Sequence, residues 1–386
     1  MGNSKMPLIT VVIPTRERAD TLKFTLETVL DQESDSFEIV VSDNFSQDNT
    51  KEVVEGFLDS RITYVNTGRR LSMVDNWEFA LQHARGEYVI YIGDDDGMMP
   101  GAIDKLQRLM EAFPSPIYCW RWHEYTWPID GMNPEIVSIV QATSTFELDL
   151  NELVRFSIKW GAWRSNALPG LYHSAVSKRI LDDIREKTGR VFHSMAPDIF
   201  MQFSLPVFSN KVLSVGECLT INGRSAKSNG GSWIAKEGAA HWQRFVQEYG
   251  AYRIHPTLFP EAPVLVNIIP DSTLVAMDLF PEFYKGMKFD YAAMWAYLQQ
   301  SLHYEGVWGI LHKRRQIGVY HYFNTGRFLF CCLIHKALAL RTSLRRMILK
   351  KSLSRLVLDY PKDIRACVKV ISDFQVRQKS SEDACI

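Results

Sequence analysis

Between Leu8 and Gly93 the chain alternates between two hydrophobic periods. LITVVIP (8–14) is almost continuously apolar, the pattern of a strand buried on both faces. Asp20 then caps a helical pattern with Leu22, Leu26, Val29 and Leu30 on one side. FEIVVSD (37–43) predicts a second buried strand and 46–59 a second helix carrying Val53, Val54, Phe57 and Leu58. RITYVN (61–66) is a third strand, 72–84 a third helix closed by Arg85 and Gly86, and YVIYIG (88–93) a fourth strand. Strict alternation of strand and helix implies right-handed crossovers and an α/β fold with a doubly wound, mostly parallel sheet. Ligands of such sheets gather at the carboxyl ends of the strands. The polar clusters fall there: Thr15 to Arg18, Ser42 to Asn44, and Asp94 to Asp96.

After Pro100 the pattern loosens. Residues 102–113 read as helix, 116–125 as one strand, and 147–160 and 177–187 as helices. NGRSAKSNGGS (222–232) reads as a mobile loop. From about residue 243 helical, aromatic-rich stretches dominate, and no internal repeat is visible. The expected division is a ligand-binding α/β domain over 1–245 and a mainly helical C-terminal domain over 246–386. A chain of 386 residues is long enough for both. Its six cysteines form no CxxC pair, which argues for a reducing compartment and against zinc. The N-terminal run reads as a first strand and not a signal peptide. Gly2 is not read as a myristoylation site, because the sixth residue is Met6. No window reaches the ~18 uninterrupted apolar residues of a spanning helix.

The densest chemistry is YVIYIGDDDGMMP (88–100), where an apolar strand ends in Asp94, Asp95 and Asp96. Adjacent carboxylates repel one another unless a cation or a set of donors neutralises them. Hard oxygen ligands without histidine or cysteine beside them suit Mg²⁺ or Mn²⁺, ions that commonly arrive with a phosphate-bearing ligand. The alternative is a solvated acidic turn. No GxGxxG follows the first strand and no GxxxxGK[ST] exists, so nicotinamide-binding and P-loop chemistries are not expected.

The ordered series ITVVIPTRER, VVSDNFSQDNT and LSMVDNWEFALQHARGEYVIYIGDDD resembles the family 2 glycosyltransferases of GT-A fold. The resemblance covers residues 7 to about 110 closely and extends weakly to about 230. It implies an inverting transfer of sugar from a nucleotide-sugar, expected to be a UDP-sugar, to a saccharide or lipid-linked saccharide hydroxyl. A bacterial surface-polysaccharide pathway is the implied setting. It also implies that Pro14, Thr15 and Arg16 lie against the nucleotide, with Glu17 where the family commonly has Asn. Asp43 matches the family's base-binding aspartate, Asn76 matches the asparagine on the helix before the acidic motif, and Arg70 could face the nucleotide. The usual Asp-x-Asp-Asp becomes Gly93-Asp94-Asp95-Asp96, so its first carboxylate is missing. Asp95 is the expected principal ligand of Mn²⁺ or Mg²⁺, Asp96 a second ligand or a group behind it, and Asp94 a ribose contact.

Inversion needs a general base opposite the leaving diphosphate. The family supplies a carboxylate roughly a hundred residues past the metal motif, and Asp198 in FHSMAPDIFMQF (192–203) takes that place; the alternative for Asp198 is a helix N-cap. Arg224 and Lys227 could close over the diphosphate. Trp160, Trp163 and Arg164 could line the acceptor site, although core packing also suits a tryptophan. His173, His193 and His241 stand alone in the sequence. The rival readings are a nucleotidyltransferase on a similar sheet, for which TRER lacks the glycines, and a non-catalytic nucleotide-binding scaffold, which the Gly93 departure keeps open.

The formal net charge is zero, yet residues 306–358 contain eleven Lys/Arg and no Asp or Glu. One reading is an interfacial helix attracted to anionic lipid on the cytoplasmic leaflet, which would make a cytoplasmic enzyme peripheral on the inner face of the membrane. Against it, the charges do not gather on one helical face. The other reading is a packed helical domain with a basic exterior, including an interface between copies of the chain. Nucleic acid is not expected, because no binding module accompanies the charge.

Overall fold

The structure is a computed structural model that describes residues 6–128, 134–162, 168–228, 245–250, 253–260, 264–301, 305–353 and 361–383. Four strands stand where the hydrophobic pattern puts them: β1 Ile9–Thr15, β2 Phe37–Asp43, β3 Ile62–Asn66 and β4 Tyr88–Tyr91. They pair in parallel in the order β3-β2-β1-β4, with Thr15 opposite Asp43 at the shared carboxyl edge. The helices between them are α1 Ala19–Leu30, α2 Thr50–Glu55 and α3 Met73–Leu81. α2 is shorter than the 46–59 expected. Asp43 Oδ1 accepts from the Ser46 amide and Asp48 Oδ1 from the Thr50 amide, and these side-chain turns compete with helix before residue 50.

Past β4 come β5 Gly97–Met98 and α4 Ala102–Ala112. The stretch read as one strand over 116–125 is two, β6 Ile117–Trp120 and β7 His123–Thr126, and they belong to different sheets. A bend that leaves both halves paired and largely buried has no hydrophobic signature. β8 Glu135–Ser138, β9 Phe146–Asp149 and α5 Leu150–Lys159 follow. The helix expected from 147 starts at Leu150 because Asp149 caps it, accepting from the Asn151 and Glu152 amides. Then come β10 Ser174–Ser177, α6 Lys178–Thr188, α7 Pro197–Phe208, β11 Lys211–Val215 and β12 Thr220–Arg224. The large sheet has the order β3-β2-β1-β4-β10-β6-β11-β9, with β10 antiparallel to both neighbours and β9 antiparallel to β11. A small sheet, β5-β12-β7-β8, stands beside it.

The region read as a mobile loop over 222–232 starts inside β12, and residues 229–232 lie outside the described residues. Gly223 serves close approach rather than mobility. A Cβ there would fall 1.7 Å from the Asp95 carbonyl oxygen, so only glycine lets β12 pass behind the acidic turn.

Beyond residue 245 the chain is helical: α8 Val264–Leu279, α9 Tyr291–Ser301, α10 Val307–Ile317, α11 Thr325–Leu353 and α12 Ile364–Asp383. α9 to α11 surround their own core with Trp295, Ile310 and Phe328. Two other segments share cores with the strands. Ala276 of α8, with Phe280 after it, joins Trp77, Val154 and Phe200 on one face of the large sheet. α12 places Ile364, Cys367, Val368 and Ile371 against Met99, Tyr125, Trp127 and Ile221, beside the small sheet. Full burial of an isoleucine stabilises by about 1.5–3 kcal/mol, so α12 is bound firmly to the back of the acidic turn.

Candidate active site

Asp94, Asp95 and Asp96 leave β4 into a turn where they are 0%, 3% and 0% exposed, so the solvated-turn alternative does not hold. Donors from several elements hold them. Thr15, at the end of β1, donates its hydroxyl to Asp94 Oδ2 at 2.6 Å, and Arg18 places Nη2 2.7 Å from Asp94 Oδ1. Asp96 accepts from the Gly93 amide at 2.6 Å and the Gly223 amide at 2.7 Å. Asp95 Oδ2 accepts from the Ser225 amide at 2.9 Å. Backbone carbonyls of the turn are fixed too: that of Asp95 by Trp127 Nε1 at 2.8 Å, that of Asp96 by the Thr25 hydroxyl at 2.7 Å. Burial raises the carboxyl of Asp94 above the usual carboxylate range, against the lowering pull of Arg18. Burial and the neighbouring Asp95 raise that of Asp96 in the same direction.

Asp94 Oδ1 is buried with only the Arg18 guanidinium beside it and accepts no hydrogen bond. Asp95 Oδ1 accepts no hydrogen bond from the described residues, and Arg18 Nη1 stands 3.8 Å away. Asp95 also lines a cleft of about 420 Å³, whereas Asp94 and Asp96 do not. The residues therefore fit a hard divalent cation held at a single carboxylate, with water and phosphate oxygens as its other ligands. Among the described residues no group of three His, Cys, Asp or Glu could cage a metal. Both oxygens of Asp96 accept from amides and Asp96 is not in the cleft lining, which suits the second of the two expectations for it, a group behind the ligand. The ribose contact expected of Asp94 meets a carboxylate already engaged by Thr15 and Arg18 behind the cleft wall.

The structure gives a reason for Gly93. A Cβ there would fall 2.3 Å from the Tyr172 hydroxyl and 2.9 Å from Asp95 Oδ1. Tyr172 fills the volume a side chain at 93 would need, and its hydroxyl exerts a lowering pull on the Asp96 carboxyl. Tyr172 also stacks on Trp77 at 5.9 Å, and both rings line the cleft.

Of the other expected residues, Pro14, Thr15, Arg16 and Asn76 line the cleft on one side, and Asp198, Arg224 and Lys227 complete it. Arg16 pairs with Glu248 at 2.5 Å, and Asn76 Oδ1 accepts from the Ser42 hydroxyl at 2.8 Å. Ser72, not Asn76, caps α3. Glu17, Arg70 and Asp43 are not in the lining. Glu17 pairs with Arg70, and its carbonyl accepts from Lys227 Nζ at 3.1 Å. Asp43 Oδ2 accepts from Tyr64 at 2.7 Å and Asn66 at 2.9 Å, and its neighbour Asn44 faces the cleft instead.

Asp198 sits in the first turn of α7, after Pro197 at the helix start. The N-cap position belongs to Ala196, so the capping alternative does not apply. Burial raises its carboxyl above the usual range, opposed by the amides of Ile199 and of Asp198 itself. Trp160 lies away from the cleft: Arg327 stacks over its ring at 4.7 Å and it packs against the helical core, which corrects the acceptor-site expectation. Trp163, Arg164 and His241 fall outside the described residues. His193 bonds Thr188 and Arg190 locally. His173 is buried near the acidic turn, bonded to Thr220 at 2.9 Å and Asn222 at 3.1 Å; burial pushes it down to about 3, so it is neutral.

Sequence reading missed Arg18, Tyr172, Trp77 and Glu248. Arg18 carried a signal, being the third charged residue of a polar cluster at a strand end. Tyr172 and Glu248 had none, because they reach the cleft from segments distant in the chain.

Residues 10–167 match the sequence model of Glycosyl transferase family 2. A β-1,3-glucosyltransferase of Campylobacter jejuni named for the acceptor GalNAc(5)-diNAcBac-PP-undecaprenol is 34% identical over 106 residues, 27% of this chain and 34% of that protein. The UDP-Glc:α-D-GlcNAc-diphosphoundecaprenol β-1,3-glucosyltransferase WfaP of Escherichia coli is 27% identical over 107 residues, 28% of this chain and 43% of that protein. The chain thus spans less than half the length of either relative. Residues 1–349 of Staphylococcus aureus TarS, solved with UDP-GlcNAc, superpose with a TM-score of 0.48 at 13% identity, covering 85% of this chain and 91% of that one. Over residues 10–167, then, the chain is similar to the family 2 glycosyltransferases, and its described residues form a mixed α/β fold with a helical C-terminal part.

Proposed function

We propose that the protein is an inverting glycosyltransferase that moves a sugar from a UDP-sugar to a hydroxyl of a saccharide or lipid-linked saccharide, in bacterial surface-polysaccharide synthesis. The observation that carries this reading is that Asp95, with one oxygen open to the cleft, and Asp198, half-buried in a helix's first turn, line one cleft. The relatives support the substrate class, since their names specify undecaprenyl-diphosphate acceptors and, for WfaP, UDP-glucose.

In this mechanism Asp198 takes the proton of the acceptor hydroxyl. The oxygen forms a bond to the anomeric carbon from the side opposite the diphosphate, and the carbon–oxygen bond to the diphosphate breaks, inverting the centre. Arg224 and Lys227 offer positive charge to the departing diphosphate. Pro14, Thr15 and Arg16 form the nucleotide side of the cleft with Asn44 and Asn76. Asp95 would hold Mn²⁺ or Mg²⁺, which supplies further neutralisation of the leaving group. Glu17, Arg70 and Asp43 shape this side from behind the lining. The nucleotide-sugar unit ends near residue 245, although α8 and α12 complete its cores. The acceptor class implies work at the inner face of the membrane.

The test is a panel of nucleotide-sugars read by thermal stabilisation with and without Mn²⁺. A UDP-sugar should stabilise the protein in a Mn²⁺-dependent way, and Asp95→Ala should abolish that stabilisation and donor turnover. Stabilisation by nucleotide with no consumption of any donor would instead support a scaffold.

A further inference from the structure

α11 has two opposite apolar faces in different surroundings. Phe328, Cys331, Cys332 and His335 are buried on the side of the helical core. On the other side Phe330, Leu333, Leu340 and Leu344 are 52%, 69%, 64% and 48% exposed. With Ala337 they recur at intervals of three and four, which makes one stripe along the helix. Lys336 and Arg341 are exposed on either side of that stripe. Every residue from 339 to 344 is exposed. This register answers the objection from charge spacing: the cations need not gather on one face if they flank an apolar one.

The surrounding segment adds two observations. Trp308, Val319 and Tyr322 are 82%, 80% and 83% exposed. Residues 306–358 carry eleven Lys/Arg and no acid. A second copy of the chain would bring the same cations to the contact, with no carboxylate in the segment to neutralise them. An anionic bilayer complements both features at once. Leucines and aromatic rings enter the acyl boundary, and lysine and arginine reach the phosphates from stems lying along it. No helix among the described residues is long and apolar enough to cross a membrane, so the contact lies in the interface plane.

We propose that the outer face of α11, through Phe330, Leu333, Leu340 and Leu344 flanked by Lys336 and Arg341, docks the protein on an anionic lipid bilayer. The purpose of the contact rests on the lipid-linked acceptor reading, but its test does not. The full chain is floated with vesicles of phosphatidylcholine alone, or with phosphatidylglycerol at roughly a 2:1 ratio, without nucleotide or acceptor. The wild type should float only with the anionic vesicles and be released by salt. The pair Leu333→Glu and Leu340→Glu should lower partitioning at least about tenfold, as should Lys336→Glu with Arg341→Glu. Both variants should keep the wild-type melting temperature and UDP stabilisation, which shows that they fold. The proposal is overturned if the wild type ignores anionic vesicles, if the leucine variant floats like wild type, or if light scattering shows a dimer that the leucine variant breaks. Failure here leaves the transfer reading standing, and failure of donor turnover leaves the docking result standing.

Discussion

The two carboxylate-bearing walls of the cleft differ in the donors they gather. In the acidic turn most oxygens have a donor, from Thr15 and the amides of Gly93, Gly223 and Ser225; Asp94 Oδ1 has only the Arg18 guanidinium beside it, and Asp95 Oδ1 accepts no hydrogen bond from the described residues. Asp198, also in the lining, stands between Pro197 and Ile199, with backbone amides as its lowering influences and burial prevailing over them. Donors and a guanidinium favour the charged form of a carboxylate, but burial prevails over them at Asp94 and Asp96 as it does at Asp198. The first wall is suited to binding a cation or diphosphate, and the second to exchanging a proton. Asp94 and Asp96, raised by burial, give the first wall its framework rather than its ligands.

The sharpest way to break this comparison is Asp198→Asn. Turnover should fall about 10²–10⁴-fold with UDP stabilisation unchanged, the signature of a lost general base. A parallel loss of UDP binding would mean that both walls serve the donor. Next in size is Arg18→Met. It leaves Asp94 buried without its cation, and denaturant unfolding should show about 3–5 kcal/mol of lost stability. A loss under 1 kcal/mol would show that the amides and Thr15 suffice.

Gly93→Ala should cost about 1–3 kcal/mol, because its Cβ meets Tyr172 and Asp95. Tyr172→Phe removes the nearest atom, so the double variant should be more stable than the sum of the two single losses predicts. Strict additivity would disconnect Tyr172 from the missing side chain. The smallest effect is on pH. The base must be ionised to act, and burial raises the Asp198 carboxyl. Activity should therefore begin to fall, as pH drops, above the range of an ordinary aspartate near pH 4. A profile flat down to that range would mean that Asp198 stays charged and the buried wall differs little from the donor-rich one.

The first half of the domain was open to sequence reading because its strands are long and doubly buried. β1 and β2 run seven residues each, nearly all buried, and that leaves an unmistakable apolar run. β10 has four residues and β6 and β7 four each, too few to show a period, and their sheet membership depends on partners far along the chain: β4 and β6 for β10, β10 and β11 for β6, and β12 for β7. Helix boundaries slipped where side chains competed with backbone, at Asp48 before α2 and Asp149 before α5. At the site, the residues near strand ends were legible, and Thr15, Asp95 and Asp198 do line the cleft. Trp160 was left open between acceptor site and core packing because an aromatic–cation cluster looks the same whether it faces a sugar or, as here, Arg327 and the helical core.

Local order along the chain therefore determined the alternating strands and helices, the carboxylates at the end of β4, and the acid-free segment 306–358, because periodicity and charge are properties of neighbouring residues. Tertiary structure decided which oxygen of the acidic turn stays open, why residue 93 is glycine, and where α12 goes. It also decided that α11 keeps one apolar face in the core and the other outside. Each of these depends on which distant backbone or side chain occupies a given volume: Gly223 and Ser225 behind the turn, Tyr172 over Gly93, Ile364 beside Gly97. Occupancy of space is set by packing, and no spacing of residues along the chain encodes it.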